Sequence, residues 1–247
     1  ICSVFINVAD MIKKYLIAII SFFTLILGLW LLSAARSFQL FGELLHRVET
    51  DEKVVALTFD DGPSKRYATE ILALLQQEHG KATFFITGKE SEQNPDEVRL
   101  LYQAGHQLGN HSYSHPRMIL MSPAAVASEI EYTDAAIRAA GYKDEILFRP
   151  PYGKKLFVLP WYLAQQQRKT IMWDLEPETD PTLAADAQAM ANYVIEHTRP
   201  GSIVLMHLMY QSRQSSREAL PLIIRGLKQK GYRFVTVSEL LAMQAQT

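Results

Sequence analysis

A parallel α/β fold, either an open sheet or a closed barrel, is what this sequence predicts, and three observations carry the prediction. From Val54 onward, short apolar runs rich in β-branched and aromatic residues alternate with stretches at helical spacing. Glycine and proline punctuate that alternation where helices would end and begin. The unusual polar residues sit just past the ends of the apolar runs, where both α/β architectures gather their working side chains.

Taken in order, the first strand covers 54–59 and runs straight into Asp60-Asp61, after which Gly62-Pro63 breaks the chain. An amphipathic stretch over 67–80 leads to a strand at 82–87, and Pro95 stands where a first helical turn begins. Further strands are expected at 107–110, 146–149, 170–175, 202–206 and 233–237, seven in all. Helical patterns lie between them over 122–141, with Pro123 in the first turn, and over 186–198 and 216–231. Gly80, Gly105, Gly141 and Gly231 are placed to close helices. No repeat or low-complexity tract divides residues 53–247, so they read as one domain.

The chain has 247 residues, 48% of them hydrophobic and 21% charged, enough apolar material for a sizeable core. Its formal net charge of −1 excludes a chain built to grip nucleic acid phosphates. Cys2 is the only cysteine, so neither an internal disulfide nor a cysteine zinc site can form within one chain.

The N-terminus differs from the rest. Residues 15–32 carry no charge and follow Lys13-Lys14. At about 1.5 Å per residue, such a run nearly spans a hydrocarbon core of about 30 Å. The flank Ser33–Ser37 offers small residues of the kind a signal peptidase accepts. The run is a signal anchor or a cleaved signal peptide; its all-round apolar character and dibasic start argue against a buried core helix. Met11-Ile12-Lys13-Lys14 would make a natural translation start, and residues 1–10 are then expected to be an upstream artefact. By the positive-inside rule, residues 1–14 stay in the cytoplasm, 33–52 serve as a linker, and the domain lies across the membrane.

Two adjacent carboxylates at a strand end repel each other, and a cation offsets that repulsion. His111 and His115 stand four apart, and on a helix their imidazoles would share one face about 6 Å apart. Alone, a spaced histidine pair says little. With the acid pair it suggests a divalent ion held by two histidines and one carboxylate, with positions left for water and substrate. One acid would bind the ion and the other would stay free as a base. In the run 148–153, Phe-Arg-Pro-Pro-Tyr-Gly, Arg149 can pair with a carboxylate. Pro150 and Pro151 have no N–H, so Tyr152 supplies the first backbone donor, as an oxyanion site needs. By itself that run could also be an ordinary proline-rich turn. The strand 201–207 ends in His207, which can protonate a leaving group or be a satisfied core histidine.

Together these segments resemble the polysaccharide deacetylases, the NodB-like carbohydrate esterase family 4, over residues 52–243. The motifs are Thr58-Phe59-Asp60-Asp61-Gly62-Pro63, His111-Ser112-Tyr113-Ser114-His115, Arg149-Pro150-Pro151-Tyr152 and Ile203-Val204-Leu205-Met206-His207, in family order and spacing. The resemblance implies a distorted (β/α)7 barrel, here preceded by one N-terminal hydrophobic helix. It implies a divalent metal, usually zinc, with cobalt, manganese or nickel as alternatives, held by Asp61, His111 and His115. Asp60 would be the general base, Arg149 its support, Tyr152 an oxyanion donor through its amide, His207 the general acid, and Leu205 the floor for the acetyl methyl.

The chain departs from the family at its fourth motif. The family often has an Asp-Trp pair there, and 172–181 has none. Asp174 and Glu176 share strand parity, so either is expected to partner Arg149 or His207. Leu208 follows His207, where many relatives carry an acid. The activity implied is removal of N-acetyl groups from a cell-envelope or extracellular glycan: peptidoglycan, a chitin-like polymer or poly-N-acetylglucosamine. The enzyme would be membrane-anchored with its domain outside the cytoplasm, or secreted if the signal is cleaved. A xylan-type O-acetyl esterase and a small-molecule amidase are alternatives on the same fold. A catalytically idle glycan binder is another, and the intact Asp60 weighs against it.

Overall fold

The computed structural model describes residues 8–244. Cys2, part of the expected segment 1–14 and the last three residues of the domain fall outside that range. Seven strands appear among the described residues: β1 Leu44–Leu45, β2 Val54–Asp60, β3 Ala82–Ile86, β4 Gln107–Asn110, β5 Thr170–Ile171, β6 Ser202–His207 and β7 Arg233–Phe234. All ladders between them are parallel.

The central ladder runs β4-β3-β2-β6. Single parallel bridges then close it into a ring: Asn110 with Phe148, Phe148 with Thr170, and Leu175 with Val204. The sheet is thus a barrel whose far side is stitched by isolated bridges, the distorted form expected. The segment 146–149 is no regular strand, and only its Phe148 carries bridges. β5 likewise ends at Ile171, because the chain turns at Asp174. β7 pairs with Val54 and Val55 on the edge of β2 that β3 occupies from Leu57 on.

Strand parity decides what faces inward. Val55, Leu57 and Phe59 of β2 pack with the outer helices, alongside Val204 and Met206 of β6. Val54 and Ala56 pack in a second cluster with Phe85, Ile203 and Leu205, inside the ring. Thr58, Asp60 and His207 continue that inner parity. Three polar side chains are therefore carried into the barrel at one end.

The helices start where their caps predict. Ser64 accepts from the Tyr67 N–H ahead of Lys65–Gln77, and Ser122 from the Ala125 N–H ahead of Pro123–Ala139. Asp186 caps Ala187–His197, and Pro95 opens Pro95–Gln103. Gly105, Gly141 and Gly231 have positive φ, as expected, whereas beside Gly80 the left-handed turn falls on His79 at φ 46°. The Gly80 N–H then closes onto the Leu75 carbonyl.

The segment 33–52 is not a free linker. β1 lies within it and pairs with β5, the Met172 N–H donates to the Leu45 carbonyl, and Val48 is fully buried. Val48 and Gly201 also meet backbone to backbone. A Cβ on Gly201, at φ +77°, would lie 1.8 Å from the Val48 oxygen. Gly201→Ala is therefore expected to destabilise the domain by about 2 kcal/mol or more, read as a lower urea midpoint. An unchanged midpoint would show that this segment docks loosely.

Among the described residues, one helix, Val8–Ser33, precedes the barrel. Its span Asp10–Ser33 is long and apolar enough to cross a membrane, and almost none of it is buried.

Candidate active site and metal centre

Asp60 ends β2 with its carboxylate inside the barrel, 2% exposed. Its Oδ1 accepts from the Arg149 Nη1 at 2.7 Å, and its Oδ2 lies 3.5 Å from His111 Nε2. Burial alone would raise the Asp60 pKa. The Arg149 guanidinium, joined by His207, outweighs burial and holds it below the usual carboxylate range. The group therefore stays ionised.

Arg149 is fully buried, yet none of its charge is stranded. Besides Asp60 it donates to Thr58 Oγ1 at 2.8 Å and to the carbonyls of Ile171 and Met172 at 3.2 and 3.1 Å, with its guanidinium 4.1 Å over the Phe85 ring. Its acceptors come from separate strand segments, so the guanidinium cross-links the barrel interior while it orients Asp60.

Asp61, one residue beyond the strand, adopts φ 74° and turns out of the ladder. Such a conformation is strained for a residue with a Cβ and persists where the surroundings fix it. Here the Asp61 N–H bonds the Phe85 carbonyl. Its Oδ1 lies 3.5 Å from His115 Nε2 and 4.0 Å from His111 Nε2.

The histidine pair meets by a different route from the helical one. Residues 111–115 form a turn, with Ser112 at φ 65° and His115 at φ 59°. The turn is tied by the Ser112 N–H to Asn110 Oδ1 and by the His115 N–H to Ser112 Oγ. It brings the two rings to 4.9 Å between centroids. His111 Nδ1 lies 2.8 Å from the Arg149 carbonyl, which can only accept. The ring proton therefore sits on Nδ1, and Nε2 faces the cluster with a free lone pair. Burial, with the neighbouring His111, pushes the His115 pKa down and keeps that imidazole neutral.

Ligand atoms of Asp61, His111 and His115 all lie within 4.8 Å of one another. Donors about 2.0–2.2 Å from one ion stand at such separations, and two imidazoles with a carboxylate suit a divalent cation. The donor set fits.

His207 lies beside Asp60 in the β2–β6 register. Its Nδ1 is 2.5 Å from Glu178 Oε2, and Glu178 also accepts the His207 N–H at 3.1 Å. Ser216 Oγ holds the other Glu178 oxygen. Burial alone would lower the His207 pKa. The Glu178 hydrogen bond and charge, with Asp60 and Asp61, raise it above the ordinary 6.5 instead. Burial likewise works to raise Glu178, and its hydrogen bonds to His207 and Ser216 leave it lowered.

This corrects the reading of the fourth motif. Neither Asp174 nor Glu176 pairs with Arg149 or His207. Asp174 accepts from Ser202 Oγ and the Ile203 N–H, holding the bend against β6. Glu176 accepts from Arg36 at 2.6 Å and from Trp173 Nε1 at 2.8 Å. Parity fails because the chain is no longer extended past Ile171. Glu178, missed in the sequence, sits on the turn Pro177–Thr179. The available signal was a third acid two residues beyond Glu176.

Asp60, Asp61, His111, His115, Tyr152, Glu176, Leu205 and His207 line one cleft of about 490 Å3, with Arg149 beneath it. Tyr152 stands at φ 56° with its ring 4.6 Å from His115 and an Arg117 guanidinium 4.3 Å over it. A second hollow of about 510 Å3 shares Asp61, His115 and Tyr210 with the first, so a groove crosses the site.

A carboxylate and two imidazoles placed for a cation, a separate ionised acid, and a charged histidine opposite are the parts of a hydrolase. The polysaccharide deacetylase family profile matches residues 47–169. A peptidoglycan-N-acetylglucosamine deacetylase of Bacillus cereus is 32% identical over 81% of this chain and 93% of its own length. The peptidoglycan-N-acetylmuramic acid deacetylase PdaC of Bacillus subtilis is 32% identical, and the match covers 81% of this chain and 41% of that protein. Among solved structures, the Bc1960 peptidoglycan N-acetylglucosamine deacetylase superposes with a TM-score of 0.74 at 33% identity, covering 79% of this chain and 91% of that one. A mutant of a carbohydrate esterase family 4 pseudoenzyme with restored activity gives 0.72 at 32% identity, covering 80% and 70%. The chain belongs to the polysaccharide deacetylase family, carbohydrate esterase family 4.

Proposed function

We propose that this chain removes acetyl groups from N-acetylated glycan of the cell envelope, peptidoglycan first among them, releasing acetate and a free amino sugar. The observation that carries the reading is Asp60: an ionised carboxylate, kept apart from the three ligating groups, held by a buried arginine and standing beside His207 in the cleft. The peptidoglycan relatives support the substrate class, and the groove suits a polymer.

A divalent ion held by Asp61, His111 and His115, zinc in the first instance, would polarise the acetyl carbonyl and acidify water at the site. Asp60 takes the proton of the attacking water while Arg149 keeps it in place. The Tyr152 amide donates to the developing oxyanion, and Leu205 bounds the space for the methyl. An amine leaves only when protonated, and His207 delivers that proton, drawn from an imidazolium stabilised by Glu178.

Glu178→Gln removes the main cause of the raised His207 pKa. The proton is then lost at lower pH, so the alkaline limb of the kcat/KM profile moves toward acid and neutral turnover falls by about tenfold or more. An unmoved limb would rule out His207 as the titrating acid. In stability terms, the His207 contribution is present below 6.5 and is lost as pH rises through its raised value. The Glu178 contribution is present above 4.5 and is lost as pH falls through its lowered value.

The reading is tested by acetate release from the ion-loaded protein on peptidoglycan, chitooligosaccharide, poly-N-acetylglucosamine and acetylxylan. Release from peptidoglycan is expected. Release from acetylxylan alone would replace it with the O-acetyl esterase reading, which a bifunctional xylanase/deacetylase of Pseudobutyrivibrio xylanivorans, 34% identical over 78% of this chain, keeps in view.

A further inference from the structure

The exit of the apolar helix is built into the catalytic domain. The Lys155 N–H donates to the Ser33 carbonyl at 2.9 Å, and the buried Lys155 ammonium donates to the Ala35 carbonyl. Lys154 places its ammonium 3.7 Å over the Trp30 ring. Three residues past the helix, Arg36 pairs with Glu176 at 2.6 Å and lies 4.8 Å over Trp173. Ala34 and Arg36 are part of the cleft wall. Removal of this segment would open the cleft wall and take the acceptor from the Lys155 ammonium.

Around that exit the domain exposes large apolar side chains. Phe38 is 54% exposed, Phe41 44%, Leu120 86%, Phe157 46% and Trp161 44%. The segments that carry them adjoin one another. A Cβ on Gly42, beside Phe41, would lie 3.1 Å from Ala164 Cβ, one turn along the helix from Trp161. Met118, two residues before Leu120, bridges to Lys155, two residues before Phe157. Aromatic and aliphatic side chains gathered where an apolar helix leaves the bilayer match the composition of a membrane interface.

We propose that this face rests on the lipid headgroup boundary, that the helix is a retained anchor, and that its exit residues Ser33–Arg36 hold the catalytic cleft at the membrane surface. The lipid surface is the occupant because the patch continues the bare helix Asp10–Ser33, which at about 1.5 Å per residue is long enough to cross a core of about 30 Å. Arg36 follows Ser33 by three residues, so the cleft wall lies within about 11 Å of the helix end. Resting on the function proposed above, the glycan acted on is that within reach of the bilayer surface.

The test uses the full chain in a Cys2→Ser background, with single cysteines at Phe38, Leu120 or Phe157 carrying an environment-sensitive fluorophore. Leu25→Cys reports helix insertion and Gln229→Cys reports a face that does not adjoin the helix exit. The chains are reconstituted in phosphatidylethanolamine–phosphatidylglycerol vesicles containing lipids quenching at headgroup depth or at the bilayer centre. Expected are deep quenching at Leu25, and headgroup-depth quenching at Phe38, Leu120 and Phe157 several-fold greater than at Gln229. Quenching at the three sites no greater than at Gln229, or none at Leu25, overturns the proposal. Recovery from cells of a chain that begins after Ser33 overturns it too. None of these readouts needs turnover, so a protein inactive on every glycan still tests it.

Discussion

Asp60→Asn is expected to cut turnover by about 10²–10⁴-fold while leaving the bound ion in place, the range for loss of a positioned base. The amide matches the acid in size and can still accept the Arg149 N–H, but it cannot take a proton from water. Asp60 lies outside the close set Asp61, His111 and His115, so elemental analysis of the purified variant should show a metal content near normal. The fold is expected to survive. Arg149 keeps Thr58 Oγ1 and the carbonyls of Ile171 and Met172, so the loss stays below the about 3–5 kcal/mol of a fully broken buried pair. Asp61→Asn should do the opposite and weaken ion binding itself. If Asp60→Asn sheds the ion and Asp61→Asn keeps it, the two acids exchange roles.

The second large effect concerns the histidines. His111→Ala or His115→Ala is expected to reduce the bound ion from stoichiometric to trace and turnover to background. Each removes one of three converging donors, and two remaining ligands cannot hold a divalent ion against water. The two variants separate structure from chemistry. His111 is 2% exposed and its Nδ1–H satisfies the Arg149 carbonyl, so its loss also costs stability. His115 is partly exposed and packs on Tyr152, so with the ion stripped from both proteins its loss should leave the melting temperature nearly unchanged. Chelation of the unaltered protein should reproduce both losses of activity, with recovery on adding back a divalent ion. A variant without its ion that keeps full turnover would sink the metal-assisted reading.

Much of this site was legible because it is written at strand ends. Asp60-Asp61 announces itself by standing against an apolar run, and parity along β2 is enough to send Asp60 inward with Thr58. The same parity rule failed at Asp174 and Glu176, since it holds only while the backbone stays extended. Asp174 binds the Ile203 N–H and bends the chain, so its neighbours no longer alternate. The helical spacing of His111 and His115 pointed to the right pair for a geometry that does not occur. Two left-handed residues, Ser112 and His115, bring the rings together instead.

What the sequence determined by itself was local: the alternation of strands and helices, their caps, the apolar N-terminal run, and the unusual polar side chains that stand at strand ends. Periodicity and capping are contests between neighbours a few residues apart, so a single chain read in order contains them. Only the tertiary structure decided the pairings. Glu178 reaches His207 across 29 positions, Arg149 reaches Asp60 across 89, and Arg36 reaches Glu176 across 140. Several acids compete for each cation, and the winner is set by where barrel closure leaves each backbone. That closure runs through single bridges at Phe148 and Leu175, in segments whose strand signature does not grow into a regular ladder there. The same closure turned the expected linker 33–52 into part of the barrel and the cleft wall, because burying Val48 and satisfying Lys155 depend on partners more than a hundred residues away.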